Sequence, residues 1–227
     1  MKRPRPEPSR KALTRLQSNA LERIGSSDAE YVIGVDEVGL GSLAGPLVVG
    51  AVVLPKNWKH DQVTDSKRLT HKKRVRVLAE VIYPAVLLRC VLHRGAEDID
   101  RYGIEQCRKE LTEGAILFCR ARYPSALAVQ DGDNPVTVDG SLRGVVHLAK
   151  ADFLVPAVSA ASILAKVTRD LFMEEAHKVY PQYNFLHNRG YGSQEHCDAI
   201  VEHGPCLLHR MSFRKLPELI AARLTRV

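Results

Sequence analysis

The chain has 227 residues, 45% of them hydrophobic and 26% charged, and carries a formal net charge of +7. That length and apolar content exclude a disordered or fibrous chain and leave one α/β domain, or two small ones, with a proper core. The positive balance favours an anionic partner. No signal peptide or long apolar span is legible, so no membrane association is expected. The five cysteines Cys90, Cys107, Cys119, Cys197 and Cys206 contain no CxxC pair, which points to a reducing, cytoplasmic setting with free or buried thiols.

Residues 1–30 read as a basic, partly disordered extension, and residues 31–227 as the folded domain. The first twelve residues (MKRPRPEPSRKA) are proline-rich and basic with no apolar period, a composition that does not pack. Residues 13 to about 25 suit a short helix, read as an appendage. Tyr31–Val35 and Leu47–Leu54 are β-branched runs and predict two strands of a buried sheet. After Asp65, Ser66 and Lys67 comes a helix whose start is signalled by Thr70, with lysines and arginines on its wet face. A third strand is expected at Val86–Leu92. Glu97–Asp100 opens the next helix, where Ile104, Cys107, Leu111, Ala115 and Phe118 recur at helical spacing. Ala126–Gln130 and Val145–Lys150 are further strands. Val158–Met173 is a buried helix with small residues on one side and a charged stripe on the other, and Pro217–Leu224 a final helix. Alternating strands and helices place a ligand site at strand ends.

Acidic residues gather at those ends. Asp36 and Glu37 close the first strand, Asp131 follows Ala126–Gln130, Asp139 follows Val136–Val138, and Asp152 lies just past Val145–Lys150. Each of them alone is compatible with a solvated loop end or a polar turn. Burying several carboxylates together requires a compensating cation or donors. Oxygen ligands without a His/Cys cluster suit magnesium or manganese rather than zinc. A pair of such ions supports in-line hydrolysis of a phosphodiester.

The string GVDEVGLGSLAGP, residues 34–46, resembles the first signature of the type 2 ribonucleases H (ribonuclease HII), usually GVDEVGRGPLAGP, and departs from it at Leu40 and Ser42. The resemblance extends over residues 31–215. It implies a ribonuclease-H-like α/β fold, a mixed sheet flanked by helices, with a small C-terminal helical region. It implies cleavage of the RNA strand of RNA–DNA hybrids and incision at ribonucleotides embedded in DNA, leaving 5′-phosphate and 3′-hydroxyl ends, with two divalent ions, Mn2+ or Mg2+, and a monomeric protein. Asp36 and Glu37 match the family's first two acids. Asp152, in LAKADFLVPAVSAASILAKVTRD, matches the fourth. The third belongs to a strand followed by Asp-Gly, found here twice. Asp131 is preferred because its strand follows the long helix directly, although VDG at Asp139 is nearer the family's spelling. The type 3 ribonucleases H share the fold but carry a substantial N-terminal binding domain, for which thirty basic residues are too few.

The same resemblance assigns substrate-facing residues. The loop Gly39, Leu40, Gly41 offers backbone contacts to the ribose 2′-hydroxyl at an RNA-to-DNA junction, with leucine where the family has arginine. Ser66 and Lys67, in the DSK segment, approach phosphates. Tyr191, in NRGYGSQEH, packs at the junction sugar. His209, Arg210, Ser212 and Phe213 match HRxSF; there Phe213 is expected in the core and Arg210 towards phosphate.

Overall fold

The computed structural model describes residues 13–63, 69–132, 142 and 144–225. A five-stranded sheet runs in the order β3-β2-β1-β4-β5. Its strands are β1 (Tyr31–Val38), β2 (Leu47–Pro55), β3 (Leu88–Arg94), β4 (Leu127–Asp131) and β5 (Val145–Leu148). The β1–β2 and β2–β3 pairs are antiparallel, and β1–β4 and β4–β5 are parallel. The sheet is therefore mixed, and β1 sits at its centre.

Alternation along β1 and β2 sorts their side chains onto two faces. Val32, Val52 and Leu54 join Val129, Val146, Val158, Ala161 and Leu164 in one core, against helix α7 (Pro156–Val179). Ile33, Val35, Val49 and Val53 pack with Leu111, Ala115 and Ile116 on the other face, under helix α5 (Ile104–Arg122). Two glycines bring α7 unusually close. A Cβ on Gly34 would fall 2.1 Å from the Ala157 carbonyl carbon, and one on Gly50 would fall 2.7 Å from the Ala161 oxygen.

Around this frame lie α1 (Arg15–Ser26), α2 (His71–Val77), continued by a π-helical turn at Leu78–Ile82 and by α3 (Tyr83–Ala85), and α4 (Ala96–Tyr102). After β5 comes α6 (Ala151–Leu154), and past α7 come α8 (Phe185–Asn188), α9 (Gln194–His203) and α10 (Lys215–Leu224). A third apolar cluster joins Leu43 and Ala44 to Met173, Tyr183, Phe185, Cys197, Ile200 and Leu216, so the C-terminal helices close over the start of β2.

Thr70 caps α2 as expected, its hydroxyl accepting from the Lys73 amide. Several expectations need correction. The helix foreseen from Glu97 is two helices, broken at Gly103, whose φ of 83° is left-handed. Phe118 is exposed; the buried stripe of α5 runs Cys107, Leu111, Ala115, Cys119. The third strand begins two residues late, because Val86 still closes the preceding helix by donating to Ile82. The charged stripe of α7 is partly interior, with Arg169 and Asp170 buried. Helix α1 is seated on the sheet edge, where the Gln17 amide donates to the Ala149 carbonyl at 2.9 Å. Helix α9 went unforeseen although Ser193 caps it and Cys197, Ile200 and Val201 form its buried side. No described helix is long and apolar enough to cross a membrane, and the five cysteines are unpaired thiols.

Candidate functional site

The pairing Gly34↔Val129 and Val35↔Gln130 carries β1 and β4 in step towards their C-terminal ends. The next positions are Asp36 and Asp131, neighbours on the face that α7 covers. Asp36 also pairs across β1–β2 with Gly50, so the missing side chain there is what lets α7 approach it. Asp152 is supplied by α6, the short helix after β5, and is buried. Its placement is tied to Asp131: the Ala151 amide donates to Asp131 Oδ1 at 2.6 Å. Lys150, just before it, turns the chain with a left-handed φ of 60°, a conformation costly for a side-chain-bearing residue and concentrated at functional sites. Glu37 follows Asp36 on the half-buried end of β1.

Asp36 is the electrostatic centre of the group. Burial first, then the negative charges of Glu37 and Asp131, and least that of Asp152, push its carboxyl well above the usual carboxylate range. A hydrogen bond from the Ser162 hydroxyl on α7 opposes that shift. Glu37, Asp131 and Asp152 thus sit close enough to Asp36 to disfavour its charge. Among the described residues no three His, Cys, Asp or Glu side chains already enclose a metal-sized site. The carboxylates instead aim oxygens at the backbone: Asp36 Oδ1 accepts from the Glu37 amide at 2.9 Å, and Asp131 binds Ala151. The donor chemistry still fits a hard divalent cation. It is oxygen-only, crowded and negative around a buried carboxylate.

Beside the acids runs the glycine loop between β1 and β2. Gly39 has a φ of 98°, and a Cβ there would fall 2.5 Å from Arg169 Nε. Leu40 is half-buried against the core of the α5 face, and Gly41 is exposed with open space about it. The loop is stitched to two later segments: Leu43 donates to Gly190, Gly45 to Leu208, and Arg210 to Leu43. Tyr191 bridges to Ser42, stays 39% exposed, and has its ring 5.4 Å from the Arg169 guanidinium. Ser66, Lys67 and the alternative acid Asp139 lie outside the described residues.

Arg210 does not face a phosphate. It is fully buried, and its guanidinium donates to the carbonyls of Gly39 (2.6 Å), Leu40 (3.1 Å) and Gly45 (2.8 and 3.0 Å). Arg169 meets the same loop from α7, donating to Ala44 (3.0 Å), Pro46 (2.9 Å) and Arg189 (2.8 Å). Ser212 and Met211 are held by Asp100, which accepts from both their amides. Phe213 is partly buried between two cores, in keeping with its expected place. Sequence reasoning missed Ser162 and Arg169 as site residues; the available signals were a hydroxyl in the small-residue first half of α7 and a guanidinium in the charged stripe that follows it.

The profile of the ribonuclease HII family matches residues 33–216. The chain belongs to the ribonuclease HII family. It is 41% identical over 194 residues to the ribonuclease HII of Syntrophus aciditrophicus, a match covering 85% of this chain and 89% of that one. Family membership makes the protein a ribonuclease H hydrolase. The fold likewise matches the ribonuclease H2 of Pyrococcus horikoshii OT3 with a TM-score of 0.66 at 24% identity, covering 85% of this chain and 99% of that one. It also matches the structure of Bst-RNase HIII in complex with Mn2+, with a TM-score of 0.74 at 20% identity, covering 92% of this chain and 74% of that one. These two likenesses concern the fold, whose mixed sheet and helical C-terminal region are those expected from the sequence.

Proposed function

We propose that this protein is a divalent-metal-dependent endonuclease that hydrolyses the RNA strand of RNA–DNA hybrids and incises at ribonucleotides embedded in duplex DNA, leaving 5′-phosphate and 3′-hydroxyl ends. The observation that carries this reading is the crowding of Asp36 by Glu37, Asp131 and Asp152 where β1, β4 and α6 meet. Those four side chains would hold the ions, Mg2+ or Mn2+. Bound there, such ions would supply a lowered water pKa and neutralisation of the charge that develops on the leaving oxygen.

The chain's own residues do the rest. Ser162 holds Asp36 in place by its hydroxyl, and the Ala151 amide fixes Asp131. The Gly39–Leu40–Gly41 backbone takes the ribose 2′-hydroxyl, the group that separates RNA from DNA. Tyr191, backed by Arg169, offers an exposed ring to the junction sugar. Ser66 and Lys67 are assigned to phosphate contacts, which fix register without reading sequence. Residues 31–227 act as the catalytic domain, working as a monomer in the cytoplasm, and residues 1–30 as its basic extension.

The test is cleavage of two labelled duplexes, one with a single ribonucleotide in DNA and one with an all-RNA strand on DNA, each with Mg2+ or Mn2+. Incision of both, abolished in Asp36→Asn, is the expected result. Silence on both would replace this reading with that of a hybrid-binding protein without catalysis.

A further inference from the structure

We propose that Arg169 and Arg210 are positioning residues that turn the Gly39–Gly41 loop into a donor surface for a ribose oxygen, and so set the preference for RNA over DNA. This inference rests on the reading of that loop as substrate-facing.

Two wholly buried guanidiniums converge on one loop from different elements, Arg169 from α7 and Arg210 from the segment before α10. Among the described residues no carboxylate lies within ion-pair distance of either. Every side-chain hydrogen bond they make there goes to a main-chain carbonyl: Gly39, Leu40, Ala44, Gly45, Pro46 and Arg189. Burying two like charges side by side with acids only at a distance, Asp170 for Arg169 and Asp100 for Arg210, is costly, and closing a turn does not demand it. What the arrangement achieves is directional. It pulls the loop's carbonyl oxygens inward, and a peptide plane whose oxygen points in presents its N–H outward.

The amide inventory agrees. Ser42, Leu43, Ala44 and Gly45 donate to the Gly39, Gly190 and Leu208 carbonyls. Leu40 and Gly41 amides find no acceptor among the described residues, at the exposed end of the loop. Their donors are also strengthened, because a carbonyl engaged by a cation polarises the amide it belongs to. Glycine itself divides in role here. Gly39 is required by its left-handed φ and by Arg169 packed against it, whereas a Cβ on Gly41 would meet nothing within 4 Å. The space over Gly41 is therefore free for a ligand. An outward pair of amide donors takes an acceptor oxygen, and on a nucleotide strand the oxygen that RNA has and DNA lacks is the 2′-hydroxyl.

The experiment measures binding by fluorescence anisotropy in an Asp36→Asn background, which prevents cleavage. The probes are a duplex with one ribonucleotide and the same duplex in all-DNA form. Arg169→Lys and Arg210→Lys, each checked for a cooperative thermal transition, keep the charge but lose the forked geometry. Each is expected to cut the preference for the ribonucleotide duplex by about tenfold while leaving all-DNA affinity within about twofold. Equal weakening on both duplexes would mean that the arginines only hold the fold, and an unchanged preference would also overturn the proposal. If the Asp36→Asn protein itself shows no preference, the substrate reading fails instead. Should the lysine variants not fold, amide hydrogen exchange in the unaltered protein decides. Leu40 and Gly41 amides must exchange fast when free and become protected by the ribonucleotide duplex alone; protection in the free protein would overturn the clamp.

Discussion

His196 Nε2 and His209 Nε2 lie 3.1 Å apart in the core of the C-terminal helices, and their outer nitrogens are both committed to backbone. The Cys206 amide donates to His209 Nδ1, and His196 Nδ1 meets the Tyr191 carbonyl at 2.9 Å. His209 Nδ1 lies closer to the Cys206 amide than to the Cys206 carbonyl, 2.9 against 3.3 Å, and with the amide as its donor one neutral pattern fits: His209 carries its proton on Nε2 and donates to His196, which carries its own on Nδ1. Tyr183 and Phe185 enclose the pair, and Lys215 is the charged neighbour of His196. Burial, then the neighbouring imidazole, pushes His209 down to about 4, and burial lowers His196. A depressed histidine stays neutral in the fold while the unfolded chain takes up the proton near 6.5. Stability present at neutral pH is therefore lost as pH falls from about 6.5 towards 4, by about 3 kcal/mol from His209. Half-buried His147 is also depressed and adds in the same direction. Urea midpoints from pH 7.5 to 4.5 should show this fall. His209→Gln should be less stable at pH 7.5 yet show a flatter slope; an unchanged slope would remove the pair from the account.

Asp36→Asn should separate metal binding from folding. Without divalent ions, burial and three neighbouring acids oppose the charged form of Asp36, so a neutral amide there removes that penalty. In EDTA the variant should unfold about 3 °C higher than the unaltered protein, the shift expected for roughly 1 kcal/mol in a chain of this size. Adding Mn2+ should raise the transition of the unaltered protein and leave the variant's almost in place. Equal metal-induced shifts in both would place the ion elsewhere.

The meeting of the candidate acids was legible because Asp36, Glu37 and Asp131 lie at the ends of apolar strands and Asp152 follows one closely, and strand ends are readable from alternation alone. Asp36, Asp131 and Asp152 are brought together by the parallel β1–β4–β5 register, which period-2 runs and intervening helices imply. What was not legible depends on long-range packing. Arg210 looked like a surface cation, and nothing local says that its guanidinium is buried under residues far earlier in the chain. Asp170 and Arg169 read only as part of a charged stripe because several of their partners, Arg74 and the Ala44 and Pro46 carbonyls, lie about a hundred residues away. The break at Gly103 was visible in principle, but Ile104 continues the apolar period across it.

Asp170 is the buried acid that joins α2 to α7. It receives Arg74 at 3.0 Å and Lys166 from the next turn, with Arg189 at 3.9 Å. Burial alone would raise its carboxyl, but the Lys166 hydrogen bond and the surrounding cations hold it below the usual range. Asp170→Asn removes the buried carboxylate that Arg74 and Lys166 share and should cost about 3–5 kcal/mol in urea unfolding. Because Arg74 also holds the Leu69 carbonyl, the double variant with Arg74→Met should lose much less than the sum of the single losses.

Gly34→Ala is the sharpest test of the close approach of α7. The added methyl would sit 2.1 Å from the Ala157 carbonyl carbon, and that neighbour is helix backbone, which cannot rotate away. The helix must retreat from the sheet, opening the core and drawing Ser162 off Asp36. A loss of about 3 kcal/mol, the upper end of ordinary overpacking, should accompany a fall in activity. Gly41→Ala, in open space, should leave the urea midpoint unchanged.

Leu40→Arg restores the residue usual in the family at the one loop position where this chain lacks a charge. Leu40 is half-buried against the α5-side core, so its removal carries a modest packing cost while the longer side chain reaches the solvent face beside Gly41. The added cation should bind one phosphate more. The slope of log affinity against log salt should then steepen by about 0.9 on a duplex substrate. Affinity should rise at low salt and converge on that of the unaltered protein at high salt. An unchanged slope would show that the side chain at position 40 points away from the nucleic acid, leaving only the loop's backbone at the interface.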